Sequence, residues 1–381
     1  MTQISPNQIL GVLGGGQLGR MLIQSAINYN QDIHILDPDS NAPCKDIAQY
    51  FQVGSLKDFD TVYSFGKNCD VITVEIEAVN TDALQKLADE GKKVFPQPHI
   101  LKLIQDKREQ KQFYQQHGIP AADFVLTENK ADVISKKFFL PAVNKLGKEG
   151  YDGRGVQILR TEADLDQAFD APGLLEKLID FDKEIAVTVA RNENGELIAY
   201  PAVECAFHPT ANLVEFLFAP AQIIPEIEKQ AQEIAKAVIL KLDMVGILAV
   251  EMFVTKSGEV LVNEIAPRPH NSGHHTIEAN FTSQFEQHLR SVMNWPLGDP
   301  GLRCPAAMIN LLGEDGFSGP AIVEGKEEAM AEKGIYIHLY GKKLTKPFRK
   351  MGHVTILDES VESLKAKAHR IKELIKIKSI S

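Results

Sequence analysis

The first 98 residues alternate short apolar runs with stretches of helical spacing. Residues 18–26 carry apolar side chains every three to four positions, as an amphipathic helix does. Apolar runs that predict strands occupy residues 9–13, 33–36, 71–76 and 94–95. Strands that alternate with helices are typical of a parallel sheet covered by helices on both faces. The pattern therefore predicts a Rossmann-like domain over residues 1–98.

Beyond residue 98 the pattern changes to short strands with turn signals, interrupted by a few amphipathic helices. A long helix is predicted over residues 225–240, directly before a hairpin at 246–264. Further strands and a lysine-rich helix follow towards the end of the chain. We expect an α/β protein (α+β overall) with a central domain over residues 99–296 and a small β-rich C-terminal domain over residues 297–381.

Size and charge narrow the classes of function. A chain of 381 residues is long enough for two or three domains. Its formal charge is 41 − 51 = −10, which disfavours nucleic acid as a partner. The four cysteines are widely scattered, no basic region precedes the first apolar run, and no apolar stretch approaches the ~20 residues that span a bilayer. We expect a cytoplasmic protein with reduced thiols and no membrane partner.

A glycine-rich turn follows the first predicted strand and opens the first predicted helix. Residues 14–19 (GGGQLG) satisfy the spacing G-x-G-x-x-G, and Asp37 ends the next strand, where dinucleotide sites place a ribose-binding acid. Glycines let main-chain N–H groups approach an anion at a helix N-terminus. The turn predicts phosphate binding and, taken alone, favours a dehydrogenase; tight packing of the helix on the sheet is the alternative.

Two acidic residues face each other in the predicted hairpin. A four-residue loop at 256–259 would pair Thr255 with Val260, and counting back in that register places Glu251 opposite Glu264. Like charges opposite each other on apolar strands are unfavourable, and a divalent cation removes the conflict. The pair therefore predicts a Mg²⁺ site that bridges substrate phosphates, with Asn263 as a third oxygen donor. The alternative is a slipped register with one salt-bridged glutamate.

A second glycine-rich segment lies between two strand-like segments. Residues 145–155 (KLGKEGYDGRG) hold four glycines and two lysines, but no Walker A motif. Such a loop is suited to closing over a triphosphate, excluding water and supplying N–H donors, with Lys145 as a fixed charge at the strand end. An exposed hairpin tip without function is the alternative.

These features together resemble the ATP-grasp superfamily. Within it, residues 263–274 (NEIAPRPHNSGH) are similar to the central motif of the N5-carboxyaminoimidazole ribonucleotide synthetase family, and residues 14–21 and 349–353 fit the same family. The resemblance runs nearly from end to end. It implies an ATP-grasp fold and an ATP-dependent carbon–nitrogen ligase of purine biosynthesis. Such a ligase joins aminoimidazole ribonucleotide to bicarbonate through carboxyphosphate and releases ADP and phosphate. The resemblance also implies a homodimer.

The resemblance further assigns ligands to individual residues. Glu251 and Glu264 would hold Mg²⁺, with Mn²⁺ as a substitute. The ATP contacts would be Lys107, Lys145, Gly150, Tyr151, Asp152, Gly153, Arg154, Gly155, Val156, Glu176, Lys177, Leu178, Ile179, Glu184, His208, Asn263 and Glu264. The catalytic residues, which handle bicarbonate and protons, would be Tyr151, Asp152, Arg268, His270 and Lys342. The ribonucleotide contacts would be Gly15, Gly16, Gln17, Leu18, Glu75, Glu77, Asn271, Ser272, Lys342 and Arg349, with the phosphate neutralised by the last two.

Three other functions compete with this one. A ligase of the same superfamily using another acyl donor, such as formate, shares every motif above. An NAD(P)-dependent oxidoreductase accounts for the glycine turn and Asp37 but leaves the facing glutamates unexplained. A nucleotide-binding regulatory protein would bind ATP without turnover. The acid pair and the basic loop of this chain are intact, which disfavours that function.

Overall fold

A computed structural model of the chain describes residues 8–148, 155–207 and 214–380. Its first layer is a five-stranded, fully parallel sheet with the strand order β3-β2-β1-β4-β5. The strands are β1 (Leu10–Leu13), β2 (Ile33–Asp37), β3 (Tyr50–Val53), β4 (Val71–Val74) and β5 (Lys93–Val94), and the helices between them are α1 (Gln17–Ile27), α2 (Phe59–Lys67) and α3 (Thr81–Asp89). The predicted parallel sheet is confirmed.

The sequence pattern did not predict strand β3. It lies at the edge of the sheet beside β2, and its end residues, Tyr50 and Val53, are 47% and 54% exposed. An edge strand buries too little to require an apolar run, so hydrophobicity alone does not reveal it.

A small four-stranded antiparallel sheet follows two linking helices. The helices are α4 (Pro98–Ile104) and α5 (Lys107–Gln116), and a third helix, α6 (Lys130–Ser135), packs beside the sheet. The strands are β6 (Phe124–Thr127), β7 (Ala142–Leu146), β8 (Val156–Leu159) and β9 (Gly173–Lys177), in the order β6-β9-β7-β8. This arrangement presents the ends of β7 and β9 to the main sheet.

The main sheet is antiparallel and, in the described residues, has nine strands. Its order is β15-β14-β10-β12-β13-β16-β20-β18, with β11 paired to β10. These strands are β10 (Phe181–Arg191), β11 (Leu197–Ala199), β12 (Val203–Phe207), β13 (Val214–Ala219), β14 (Gly246–Thr255), β15 (Val260–Ala266), β16 (Ala306–Leu312), β18 (Ile335–Leu339) and β20 (Lys350–Leu357). Because β16, β18 and β20 extend the sheet past residue 296, the predicted boundary there falls within one continuous layer and stays a prediction.

The remaining elements cover this sheet or form a short one beside it. The helices are α7 (Pro225–Lys241), α8 (Thr276–Ala279), α9 (Gln284–Val292), α10 (Lys326–Met330) and α11 (Val361–Leu374). The strands β17 (Gly319–Glu324), β19 (Leu344–Thr345) and β21 (Lys376–Ser379) form a three-stranded sheet. No helix in the three described ranges is both long and apolar enough to cross a bilayer.

Helix α9 joins the parallel sheet to the main sheet. Its residues Phe285 and Leu289 are fully buried in one cluster with Leu22 and Ile23 of α1. On the same helix His288 is fully buried, and its Nε2 lies 2.9 Å from the hydroxyl of Thr73 in β4. Burial lowers the pKa of His288 to about 3, so the ring is neutral in the folded protein.

This neutral histidine predicts a loss of stability in mild acid. Between pH 6.5 and 3 the unfolded chain protonates His288 and the folded chain does not, so the free energy of unfolding decreases as the pH falls. At pH 5 this effect lowers the free energy of unfolding of the wild type by about 2 kcal/mol, and we expect His288→Gln to abolish that loss. Urea unfolding at pH values from 7.5 to 5 measures it. The exposed His99, changed to Gln, is the control; equal slopes for all three proteins would refute the prediction.

Candidate active site

The predicted acid pair lies at the centre of the candidate site. Glu251 on β14 is directly opposite Glu264 on β15, as expected. The predicted pairing of Thr255 with Val260 is wrong by one residue, because Val254 pairs with Val260. A β-bulge between Glu251 and Met252 adds one residue to β15 and restores the facing position of the two glutamates. Counting residues along the sequence does not reveal this bulge, because it depends on how the two strands pair.

The two carboxyl groups have opposite electrostatic surroundings. Glu251 is 8% exposed, and burial, followed by the charges of Glu264 and Glu184, raises its pKa well above the ordinary value. The ammonium of Lys107, 3.4 Å from Oε2 of Glu264, is the main cause that lowers the pKa of Glu264 to about 2. The surroundings therefore favour the ionised form of Glu264 and the protonated form of Glu251.

These donors satisfy the chemistry of a hard divalent cation. The described residues contain no group of three or more His, Cys, Asp or Glu side chains placed to hold a metal. A cation here would rely on the two facing carboxylates, with Asn263, the residue before Glu264, as the predicted third donor. Mg²⁺ usually takes only one or two carboxylates from a protein and binds substrate phosphates at its other coordination positions, and this arrangement would suit it.

A buried ionic cluster adjoins the acid pair. Glu176 at the end of β9 forms ion pairs with Lys145 on β7 and with Lys111 on α5. Burial opposes ionisation of Glu176, but the two lysines outweigh it and hold the pKa of Glu176 below the ordinary value. Lys145 also donates to the side-chain oxygen of Asn263 at 3.2 Å, so the cluster reaches the hairpin.

Arg268 and His270 follow Glu264 along the chain, and His270 lies close to the acid pair. Arg268 forms an ion pair with Glu77 of the first layer, with 2.8 Å between Nε and Oε1. The His270 Nδ1 atom lies 3.5 Å from Oε1 of Glu251 and 3.0 Å from the hydroxyl of Ser272. Asn271 is buried, and its side-chain oxygen has no hydrogen-bond partner among the described residues.

The glycine turn is occupied by carboxylates of the chain itself. The N–H groups of Gly16 and Leu18 donate to Glu75, at 2.9 Å for Leu18, and that of Gly15 donates to Asp37 at 2.6 Å. A Cβ atom at Gly16 would lie 2.5 Å from Oε1 of Glu75, so this approach requires glycine. These contacts fit the alternative of helix–sheet packing, and the predicted contact of residues 15–18 with a ligand stays a prediction.

The other predicted nucleotide contacts lie on or next to β8, β9 and β10, or outside the described residues. Glu184 on β10 is half-buried, and burial, followed by the charge of Glu264, raises its pKa to about 8. The side chain of Lys177 donates to the main-chain oxygen of Phe139 at 2.8 Å, away from Glu176. Half-buried positions at the ends of strands or just beyond them are occupied by Gly155, Val156, Leu178 and Ile179. Predicted contacts at Gly150, Tyr151, Asp152, Gly153, Arg154 and His208 lie outside the described residues.

Lys342 and Arg349 lie in the connection between β18 and β20. Lys342 donates to the main-chain oxygen of Lys350 at 2.8 Å, and Arg349 donates to that of Leu344 at 2.7 Å. In the same connection Lys343 donates to the side-chain oxygen of Asn41 at 3.2 Å. This connection therefore meets the first layer.

Comparisons with known proteins agree over the length of the chain. Three family models match: the ribonucleotide synthetase preATP-grasp domain at residues 7–105, the ATP-grasp domain at 112–285, and the phosphoribosylaminoimidazole carboxylase C-terminal domain at 306–367. N5-carboxyaminoimidazole ribonucleotide synthase of Bacillus subtilis is 38% identical over 93% of both chains. The synthetase structure from Thermotoga maritima is 43% identical, with a TM-score of 0.91, and the match covers 98% of this chain and 100% of that one.

The chain belongs to the N5-carboxyaminoimidazole ribonucleotide synthase family. The chloroplastic phosphoribosylaminoimidazole carboxylase of Vigna aconitifolia is 40% identical to it. That match covers 94% of this chain and 65% of the length of the relative. A family structure from Aspergillus clavatus, 33% identical with a TM-score of 0.88, is in complex with ADP and 5-aminoimidazole ribonucleotide; the match covers 97% of this chain and 98% of that one. The predicted ATP-grasp fold and the predicted family are confirmed.

Three residues of this synthase site were not predicted from the sequence. Lys111 is four positions after Lys107 on α5, and that spacing on a polar helix was the available signal. Lys350 acts electrostatically on Glu251, opposing the rise in its pKa, and sits within the motif already noted at 349–353. Gln284 has no sequence signal: its amide accepts from the N–H of His270 and donates to its carbonyl, both at 2.8 Å.

Proposed function

We propose that the chain catalyses the ATP-dependent carboxylation of 5-aminoimidazole ribonucleotide with bicarbonate in purine biosynthesis. A bicarbonate oxygen attacks the γ-phosphorus of ATP, and the bond from that phosphorus to the bridging oxygen breaks to release ADP. The exocyclic amine of the ribonucleotide then attacks the carboxyl carbon of carboxyphosphate, or of CO₂ derived from it, and phosphate leaves. The observation that carries this proposal is the facing pair Glu251 and Glu264 beside three lysines, in a chain of this family.

Glu251 and Glu264 would hold Mg²⁺, or Mn²⁺, through their facing carboxylates. The cation would offset phosphate charge during phosphoryl transfer. The raised pKa of Glu251 supports this role, because burial and the nearby charges of Glu264 and Glu184 disfavour its ionised form and a cation would offset them. Lys107 already balances Glu264, so the hairpin tolerates its charge before ligands bind.

Lysines and strand ends near the hairpin would bind the nucleotide. Lys107 and Lys145 present ammonium groups beside Glu264 and Asn263, where the phosphates of ATP would complete the charge balance. Glu176 to Ile179, at and beyond the end of β9, would contact adenine, and Glu184 the ribose hydroxyls. The loop at 150–156 would close over the phosphates and exclude water from carboxyphosphate.

Arg268 and His270 would receive bicarbonate. The guanidinium is a planar donor suited to an oxyanion, and its ion pair with Glu77 fixes its direction. The buried side-chain oxygen of Asn271 has no hydrogen-bond partner in the part of the chain that the structure describes, which supports a bound donor at this position. The amine of the ribonucleotide is such a donor. Tyr151, Asp152 and Lys342 would assist in proton transfer.

The ribonucleotide would lie between the glycine turn and the connection that carries Lys342 and Arg349. These two cations would neutralise its phosphate, while Glu75, Glu77, Ser272 and residues 15–18 would contact its sugar or base. Because Glu75 already binds the N–H groups of the turn, the phosphate is better placed on Lys342 and Arg349 than on α1. Homodimerisation and a cytoplasmic location are further expectations of the same proposal.

ADP release tests the reaction directly. With Mg²⁺-ATP and bicarbonate, we expect ADP to form several-fold faster when 5-aminoimidazole ribonucleotide is added, with one carboxylated product for each ADP. Replacing bicarbonate by formate tests the other acyl donor. ADP formation that ignores the ribonucleotide, or that follows formate, would overturn the proposed acceptor or donor.

Glu264→Gln tests the metal assignment. Removing one of two carboxylate ligands should lower kcat by at least about 100-fold, because the charge of the transferring phosphoryl group is no longer balanced. The matched control is Glu259→Gln at the exposed tip of the same hairpin, which should behave as wild type. Wild-type turnover by Glu264→Gln, with an unchanged Mg²⁺ dependence, would remove Glu264 from the metal site.

Arg349→Ala tests the phosphate site. Loss of a cationic donor to the ribonucleotide phosphate should raise the KM for the ribonucleotide by about tenfold or more and leave the KM for ATP within about twofold. Lys346→Ala, an exposed cation in the same connection, is the control. A rise in the KM for ATP alone would place Arg349 elsewhere.

A further inference from the structure

Lys111 is a buried lysine to which the proposed reaction assigns no role, and it lies behind the proposed nucleotide site. The Glu176 carboxylate is held by two ammonium groups, with Lys111 on Oε1 and Lys145 on Oε2. The side chains of Lys111 and Glu176 are only 3% and 4% exposed. Three elements thus meet at one carboxylate, namely α5, β7 and β9.

The two lysines are not equivalent. The Nζ atom of Lys145 also reaches the side-chain oxygen of Asn263 at 3.2 Å, so its ammonium faces the acid pair of the hairpin. The Nζ atom of Lys111 lies 5.4 Å from the ring centre of the buried Tyr114, on the side of α5. Lys145 is therefore the member of the pair that contacts the site, and Lys111 lies behind Glu176.

The charges explain why two lysines surround one carboxylate. With Lys145 as its only counter-charge, a buried Glu176 would hold that ammonium in a closed ion pair, since an unpaired buried carboxylate is costly. Lys111 supplies a second counter-charge on the other oxygen. The cluster then carries one net positive charge, on the side that faces Asn263.

We propose that Lys111 is a positioning residue for nucleotide binding, which balances Glu176 so that the ammonium of Lys145 stays available to the phosphates. This inference rests on the proposed role of Lys145 at the ATP phosphates. Lys111 acts through Glu176 and touches neither nucleotide nor bicarbonate. Its removal should weaken nucleotide binding and spare the ribonucleotide site.

A double-mutant cycle on the full chain tests this role. The variants are Lys111→Met, Glu176→Gln and the double variant. Lys367→Met is the control, because it removes a half-buried ion pair between Lys367 on α11 and Asp358, which precedes that helix. Calorimetry gives the Kd for Mg²⁺-ADP, steady-state kinetics give the KM values for ATP and the ribonucleotide, and thermal unfolding gives the Tm. Lys111→Arg, which keeps the charge, is the rescue variant.

We expect Lys111→Met to raise the Kd for Mg²⁺-ADP and the KM for ATP by about tenfold, with the KM for the ribonucleotide within about twofold. In the Glu176→Gln background the same change should have no further effect on either constant, since the carboxylate that traps Lys145 is gone. Lys111→Arg should recover most of the affinity. Lys367→Met should lower the Tm alone.

Two outcomes would overturn the inference. One is an unchanged Kd in Lys111→Met despite a lowered Tm, which is the result of a purely structural ion pair. The other is an equal loss of affinity with and without Glu176, which would mean that Lys111 does not act through that residue. Because ADP binding is measured without turnover, failure of the wild type to carboxylate the ribonucleotide would refute the proposed reaction and leave this test intact.

Discussion

The site depends on one unfavourable contact, the facing of Glu251 and Glu264 across two strands of the main sheet. Two carboxylates placed opposite each other repel, and the surroundings act differently on each partner. Lys107 is the main cause that lowers the pKa of Glu264, whereas burial is the main cause that raises the pKa of Glu251. The proposed divalent cation would offset this repulsion, because both carboxylates could then serve as its ligands.

The other elements of the fold bring compensating charge to this contact. Helix α5 brings Lys107 and Lys111, strand β7 brings Lys145, and the segment after β15 brings Arg268 and His270. The first layer contributes Glu77, which holds Arg268 by an ion pair. Positive groups from α5, β7 and the segment after β15 thus lie near the hairpin, in a chain whose net charge is −10. An anionic nucleotide is attracted by this local field, and the overall charge does not decide its binding.

The sequence was sufficient for the parallel sheet, the hairpin and the acid pair, because each follows from local periodicity or from a turn. It was insufficient wherever a long-range contact decides. The bulge that aligns Glu251 with Glu264 depends on the pairing of whole strands, and the one-residue error at Val260 shows that a correct pair was reached by an incorrect count. Likewise Gln284 holds the backbone of His270 from a helix 14 residues away, and an isolated glutamine carries no signal for that role.

The glycine turn shows that a motif can be present while another group takes the place of its usual ligand. In a dinucleotide site the N–H groups at the start of the helix bind a pyrophosphate. Here α1 has no acidic residue in its first turn, and Glu75 from β4 supplies the negative charge that its N-terminus attracts. Gly14 and Gly16 remain necessary, because a Cβ atom at either would lie within 3 Å of the Glu75 side chain. The same glycines that admit a phosphate elsewhere admit a carboxylate in this chain. A phosphate bound at this turn would have to displace the buried side chain of Glu75, which accepts hydrogen bonds from main-chain N–H groups. This cost supports the proposal that Lys342 and Arg349, and not the turn, bind the phosphate of the ribonucleotide.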